Sequence, residues 1–183
     1  TNKGRSTPAL GSHLLAVYRV RGGGAFRPVG CGQVRFENDR VFAALGMGFA
    51  MNTCDSVSLD KCQGALRPGS GRWMSSTVDA THCNMVRQSV RYTGCLFEGM
   101  GDDAINVHGM YSMVHERPDA RTIVLRGWKS IFNAPNIEDD FAAPARNSLR
   151  PGELLEFGTP AKPLVPAFSA RIVQSTPVEV KGV

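Results

Sequence analysis

Three stretches set the fold of this chain: "QVRFEND" at 33–39, "SVSLDKC" at 56–62 and "SVRYTGC" at 89–95. Each alternates Val-x-Phe, Val-x-Leu or Val-x-Tyr and then breaks at polar or glycine residues. A period of two predicts strands with one face buried. The step from Val34 to Val57 is twenty-three positions, and the step from Val57 to Val90 is ten longer. A single repeat of the shorter length, enlarged the second time by a loop, accounts for both steps. The loop is expected at "RPGSGRWMSS" (67–76), which carries the turn residues. Repeats of this length are the mark of a solenoid whose units bury their faces against each other. No segment of 3.6-residue periodicity lies between the strands, which favours a parallel β-helix over helical repeats. A β-sandwich would also give short alternating strands.

The rest of the chain agrees with an all-β class. It has 183 residues, of which 42% are hydrophobic and 20% charged, so it carries enough apolar surface for a folded core. Twenty glycines and eleven prolines punctuate it. Residues 1–114 are read as the parallel portion and 115–183 as an accessory antiparallel, barrel-like β-module or insertion. "RTIVLRG" (121–127), "ELLEFG" (153–158) and "AFSARIVQS" (167–175) read as its strands, with a long acidic, proline-containing loop between the first two. The chain ends on "PVEVKGV" (177–183) with no closing element, which reads as a fragment.

The net charge of +5 comes from scattered Lys and Arg, so no nucleic-acid stripe is expected. No stretch reaches the ~20 apolar residues of a membrane span. Cysteines 31, 54, 62, 83 and 95 are odd in number and lack CxxC spacing. They read as small core thiols rather than a zinc site or a full disulfide framework.

"GMGDDAINVHGMY" (99–111) places Asp102, Asp103, Asn106 and His108 within seven positions. Neighbouring residues on a strand face opposite ways, so the two aspartates share a cleft only if the backbone turns at Gly99 or Gly101. "STVDATH" (76–82) adds Asp79 and His82. Asp79 precedes Asp102 by the same step that separates Val34 from Val57. That is one repeat, so Asp79 is expected beside the pair. Clustered carboxylates suit calcium, with carbonyls completing the shell, or glycoside hydrolysis, with one acid protonated and one ionised. Crowding of like charges produces that asymmetry. In the second reading Asn106, His108 and His82 bind sugar hydroxyls, and Trp73 and Tyr111 serve as stacking platforms. On spacing alone, a solvated turn, an asparagine ladder, structural histidines and core aromatics are equally available.

Taken in order, "GMGF" (46–49), "CDSVSLDKC" (54–62), "SGRWMSSTVDATH" (70–82) and "CLFEGMGDDAINVHGMY" (95–111) resemble the glycoside hydrolase family 110 α-galactosidases. The resemblance covers residues 46–111, about a third of the chain. It implies a right-handed parallel β-helix with accessory β-domains. It also implies exo-removal of terminal α-1,3-linked galactose, including that of the blood group B antigen, by an inverting mechanism without metal or other cofactor. The aspartate cluster then falls on Asp79, Asp102 and Asp103, with one member of the pair as general acid and Asp79 or the other member as base. The partner is an α-galactosyl glycan, and that substrate class implies a secreted or periplasmic protein. Cys83 stands where the family has an aromatic residue, and Val86 lies near the place of an expected cysteine. Inverting chemistry calls for carboxyl groups roughly 6.5–9.5 Å apart, so Asp79 is expected to sit sideways of its partner or across the cleft. Two other classes compete. A non-catalytic carbohydrate-binding β-helix would let the aspartates diverge. A calcium-dependent lyase would need a basic residue, for which only Arg72 and Arg87 offer themselves.

Overall fold

The computed structural model of the protein describes residues 9–11, 23–109, 112–127 and 149–176. These contain strands, turns and bends, and no helix. The first ten strands form three parallel sheets. One runs β1 (Gly24–Phe26), β4 (Met47–Asn52), β7 (Thr81–Asn84) and β10 (Ile105–His108). The second runs β2 (Gln33–Glu37), β5 (Ser56–Asp60) and β8 (Ser89–Thr93). The third runs β3 (Arg40–Val41), β6 (Gln63–Gly64) and β9 (Leu96–Phe97). Each sheet therefore takes every third strand, and each trio of strands is one repeat.

The alternating stretches pair as their spacing requires. Val34 faces Val57 and Val57 faces Val90, while Phe36, Leu59 and Tyr92 form the next buried row. The shared core gathers Val57, Leu59, Phe49, Met51, Cys54, Cys62 and Cys83 from the strands and corners of successive repeats. β5 carries the pattern most cleanly: Val57 and Leu59 are fully buried, and Ser56, Ser58 and Asp60 only partly. The outer strands β2 and β8 keep the same alternation but bury it less, because each has a neighbour on one side only.

Two corners of the repeat use left-handed backbone. Asn38, Lys61 and Gly94 have φ of 57°, 52° and 61°, and they occupy one position in three successive repeats. Gly30, Thr53 and Met85 do the same at a second corner, with φ of 65°, 54° and 57°. The twist of the chain dictates these conformations, and Thr53, Lys61 and Met85 adopt them against the preference of their side chains.

Beyond the parallel sheets, β11 (Ser112–Glu116) pairs antiparallel with β12 (Val124–Gly127). β13 (Leu154–Phe157) pairs antiparallel with β14 (Phe168–Arg171), and Phe157 stacks on Phe168 at 4.4 Å between ring centroids. An ionic cluster ties this second pair to the parallel portion. Arg87 donates to Glu153 at 3.0 Å and to the Thr53 carbonyl at 2.6 Å, and Arg150 donates to Asp55 at 3.0 Å. The acidic loop predicted between β12 and β13 lies largely outside the described residues, as does Tyr111.

Candidate functional site

The site forms where the 67–76 loop re-enters the first sheet. Ser75 and Ser76 restore the register after the loop: the Ser75 amide donates to Gly99 O at 2.7 Å, and Ser76 bridges Ala44 on one side and Met100 on the other. Asp79 follows at once, just ahead of β7. Its main chain is clamped from both sides, because Gly48 N donates to Asp79 O at 2.9 Å and Ala80 N donates to Asp103 O at 2.9 Å. Gly48 is required here by close approach. A Cβ built on it would lie 2.5 Å from the Ala80 carbonyl oxygen.

The register corrects one expectation. Thr81 of β7 faces Ile105 of β10, a step one position longer than the step between Val34 and Val57. Asp79 is therefore aligned with Asp103, not with Asp102. The two adjacent aspartates lie in a bend ahead of β10 rather than in a strand. Asp79, Asp102 and Asp103 each offer a carboxylate oxygen to a cluster whose members lie within 4.8 Å of one another. The sideways displacement expected of Asp79 is not found, because in-register stacking holds the carboxylates together. Of the two glycines invoked for the turn, Gly99 has φ of 69°. Gly101 is needed for room instead: a Cβ there would meet the Thr77 carbonyl oxygen at 2.6 Å and the Met74 methyl at 2.5 Å.

Asp79 is almost fully buried, while Asp102 and Asp103 are exposed. Burial alone would raise the Asp79 pKa. The hydrogen bond and charge of His82, the Asp103 amide and the Asn106 side chain outweigh it and hold the group below the usual carboxylate value. The contacts behind that shift are explicit. His82 Nδ1 sits 2.6 Å from Asp79 Oδ2, Asp103 N donates to Oδ1 at 3.3 Å, and Asn106 Nδ2 donates to Oδ2 at 3.4 Å. Asn106 Nδ2 also donates to Asp103 Oδ2 at 3.0 Å. Any cation approaching the three carboxylates would compete with these donors at Asp79.

Histidines 82 and 108 meet each other. Their Nε2 atoms are 2.9 Å apart, and His108 Nδ1 lies 2.8 Å from Gly109 O. Trp73 is exposed in the 67–76 loop, whose Met74 rests against Gly101. On the inner face of β7, Thr81 and Cys83 contact the Tyr92 hydroxyl at 3.0 and 3.4 Å. Burial pushes both the Cys83 thiol and the Tyr92 phenol up, as expected of core groups. Of the residues singled out from sequence, the structure joins Asp79, Asp102, Asp103, His82, Asn106 and His108. Two that sequence reasoning missed are Gly48 and Thr77, whose roles come from contact between repeats and leave no local signal.

No protein-family model and no solved structure matches the chain. Curated proteins do. An alpha-1,3-galactosidase A of Shewanella woodyi is 37% identical over 116 residues, covering 63% of this chain and 19% of that protein. An alpha-1,3-galactosidase B of Phocaeicola vulgatus is 38% identical over 93 residues, 50% of this chain and 15% of that protein. An alpha-1,3-galactosidase A of Bacteroides fragilis is 34% identical over 92 residues, 49% of this chain and 15% of that protein. The chain is thus similar to alpha-1,3-galactosidases over about half its length or more, and it spans less than a fifth of theirs.

Proposed function

We propose that this chain carries the active centre of a glycoside hydrolase that removes terminal α-1,3-linked galactose from glycans, with inversion and without a metal. Its parallel repeats are coils of a right-handed β-helix in this reading. The names of the similar proteins support the substrate class, and a glycan substrate favours a secreted or periplasmic protein. The observation that carries the reading is the convergence of Asp79, Asp102 and Asp103 within 4.8 Å.

The reaction needs one carboxylic acid that gives up a proton and a carboxylate that takes one from water. Asp79 is the member held ionised by its donors. Asp103 accepts from the same Asn106 amide. Asp102, exposed in the cluster, is the general acid of this reading and delivers a proton to the leaving oxygen. Asp79 and Asp103 act on water. A water donating both hydrogens at about 2.8 Å reaches two oxygens roughly 4.4 Å apart, which suits a shared nucleophilic water better than a carboxylate attacking directly. The spacing is shorter than the roughly 6.5–9.5 Å of an inverting pair, so inversion in this reading depends on a water held by two acids, and the anomer first released decides it. Exposed Trp73, on the loop beside Gly101, supplies a stacking face for the sugar.

The test is hydrolysis of galactosyl-α-1,3-galactose by the 183-residue chain, with NMR of the first anomer released. β-Galactose that persists in EDTA is expected, and Asp102→Asn and Asp103→Asn should each lower kcat by at least ~10²-fold. α-Galactose as first product would establish double displacement instead. No release by folded chain would sink the enzymatic reading.

A further inference from the structure

We propose that His82 and His108 are positioning residues, which form with Asp79 a continuous hydrogen-bond chain that fixes the orientation of the Asp79 carboxylate. The proposal rests on the catalytic reading of Asp79 given above and assigns the histidines a role other than contact with sugar hydroxyls.

Four groups stand in a row. Gly109 O is an acceptor only, so His108 Nδ1, at 2.8 Å, carries a hydrogen and donates it. The two Nε2 atoms, 2.9 Å apart, share one hydrogen between them. His82 Nδ1 and Asp79 Oδ2, 2.6 Å apart, share another. Gly109 O, His108, His82 and Asp79 are thus joined end to end, and each ring is held at both of its nitrogens.

The neighbourhood adds few competing charges. His82 lies in the row Ala50–His82–Asn106, and His108 in the row Asn52–Asn84–His108. Neither β4 residue is ionisable. Among the described residues the acidic groups facing the pair are Asp79 and, through Asn106, Asp103, with Asp102 in the same carboxylate cluster. His82 is nearly buried and His108 exposed. His82 is therefore the part that acts on Asp79, and His108 the part that holds His82. A side chain that is itself held by a further partner in this way keeps one orientation.

The first measurement needs no activity. Long-range ¹H–¹⁵N spectra of the folded chain at neutral pH should show both Nδ1 atoms protonated and a strongly downfield His82 Nδ1 proton. A His82 ring with unprotonated Nδ1 and no such proton overturns the proposal, whatever the chain hydrolyses. The second is kinetic. His82→Ala is expected to lower kcat about 10–100-fold with KM within about twofold. His82→Asn, whose amide replaces the Nδ1 donor, should restore most of the loss. His108→Ala should lower kcat less, with His108→Gln closer to wild type. A rise in KM at unchanged kcat, with His82→Asn no better than His82→Ala, would mean sugar contact and would overturn the positioning role.

Discussion

Substitution of Gly101 by alanine tests the geometry of the site most directly. The added methyl would sit 2.6 Å from the Thr77 carbonyl oxygen, 3.0 Å from its carbon and 2.5 Å from the Met74 methyl. Met74 is the end of a flexible side chain and can swing away. The Thr77 carbonyl cannot do so cheaply. Its own amide donates to Ala44 O at 3.1 Å, and the Gly101 amide donates to Ser76 O at 3.0 Å. A carbon rests about 3.3 Å or more from a carbonyl oxygen, so the two backbones must part by roughly 0.7 Å. Forced overpacking of this kind costs about 1–3 kcal/mol. Because Asp102 is the next residue, the same displacement moves it relative to Asp79. A misplacement near ~1 Å costs ~10²-fold in rate, so a loss of about 10–100-fold in kcat/KM is expected. Urea denaturation and hydrolysis of galactosyl-α-1,3-galactose measure the two effects. Gly32→Ala is the control, since a Cβ there meets nothing within 4 Å. A Gly101→Ala protein as stable as Gly32→Ala to within ~0.5 kcal/mol would refute the close approach.

Three further outcomes follow from other parts of the molecule. Lys61 is exposed with φ of 52°, at the corner where Gly94 stands one repeat later. Relief of about 1–2 kcal/mol of left-handed strain, less ~0.5–1 for glycine's entropy, should make Lys61→Gly about 0.5–1 kcal/mol more stable by thermal unfolding. Lys61→Ala should show no such gain, and a glycine variant no better than alanine would count against a strained corner. Arg87→Ala removes the bonds to Glu153 and to Thr53 O. It should cost about 1–3 kcal/mol and speed proteolysis within 149–176, with Arg87→Lys failing to restore both bonds. Unchanged cleavage would show that the cluster does not hold β13 and β14 in place. The folded-state pKa of Asp79 is depressed, so its stabilising effect is fully present above its ordinary unfolded value near ~4 and is lost as pH falls through the folded one. Asp79→Asn should flatten the acid side of the stability curve, and equal slopes for both proteins would contradict the shift.

The strands were legible because alternation and spacing reinforce each other. Val34, Val57 and Val90 each begin an alternating run, and the steps between them are the observed register. The corners were not legible. A left-handed position is announced by Gly30, Asn38 and Gly94, but Thr53, Lys61 and Met85 hold the same conformation with no residue-type signal. The loop at 67–76 was legible from its turn residues, yet what it does to the register of the following strand was not. Phe49 pairs with Thr81 across the loop, and Thr81 with Ile105 beyond it, and neither step equals the one from Val34 to Val57. A spacing argument that assumes one constant step misassigns the neighbour of Asp79 by one residue.

The histidines show why the site was only half readable. In sequence, His82 and His108 are polar residues near acids, and sugar hydroxyls are a natural use for them. Their partners are fixed by stacking: His82 lies beside Asn106, and His108 two residues farther along the same strand. That places one ring against the other and both in line with Asp79, a relation between repeats that no local motif encodes. The same stacking decides the surroundings of the acids. Asp79 belongs to the repeat with a neighbour on either side, so it is buried and its oxygens are taken up by protein donors. Asp102 and Asp103 lie on the outer repeat and remain open to solvent. Asp79 is thus the fixed point of the cluster, and the exposed pair is the part that an approaching molecule can reach.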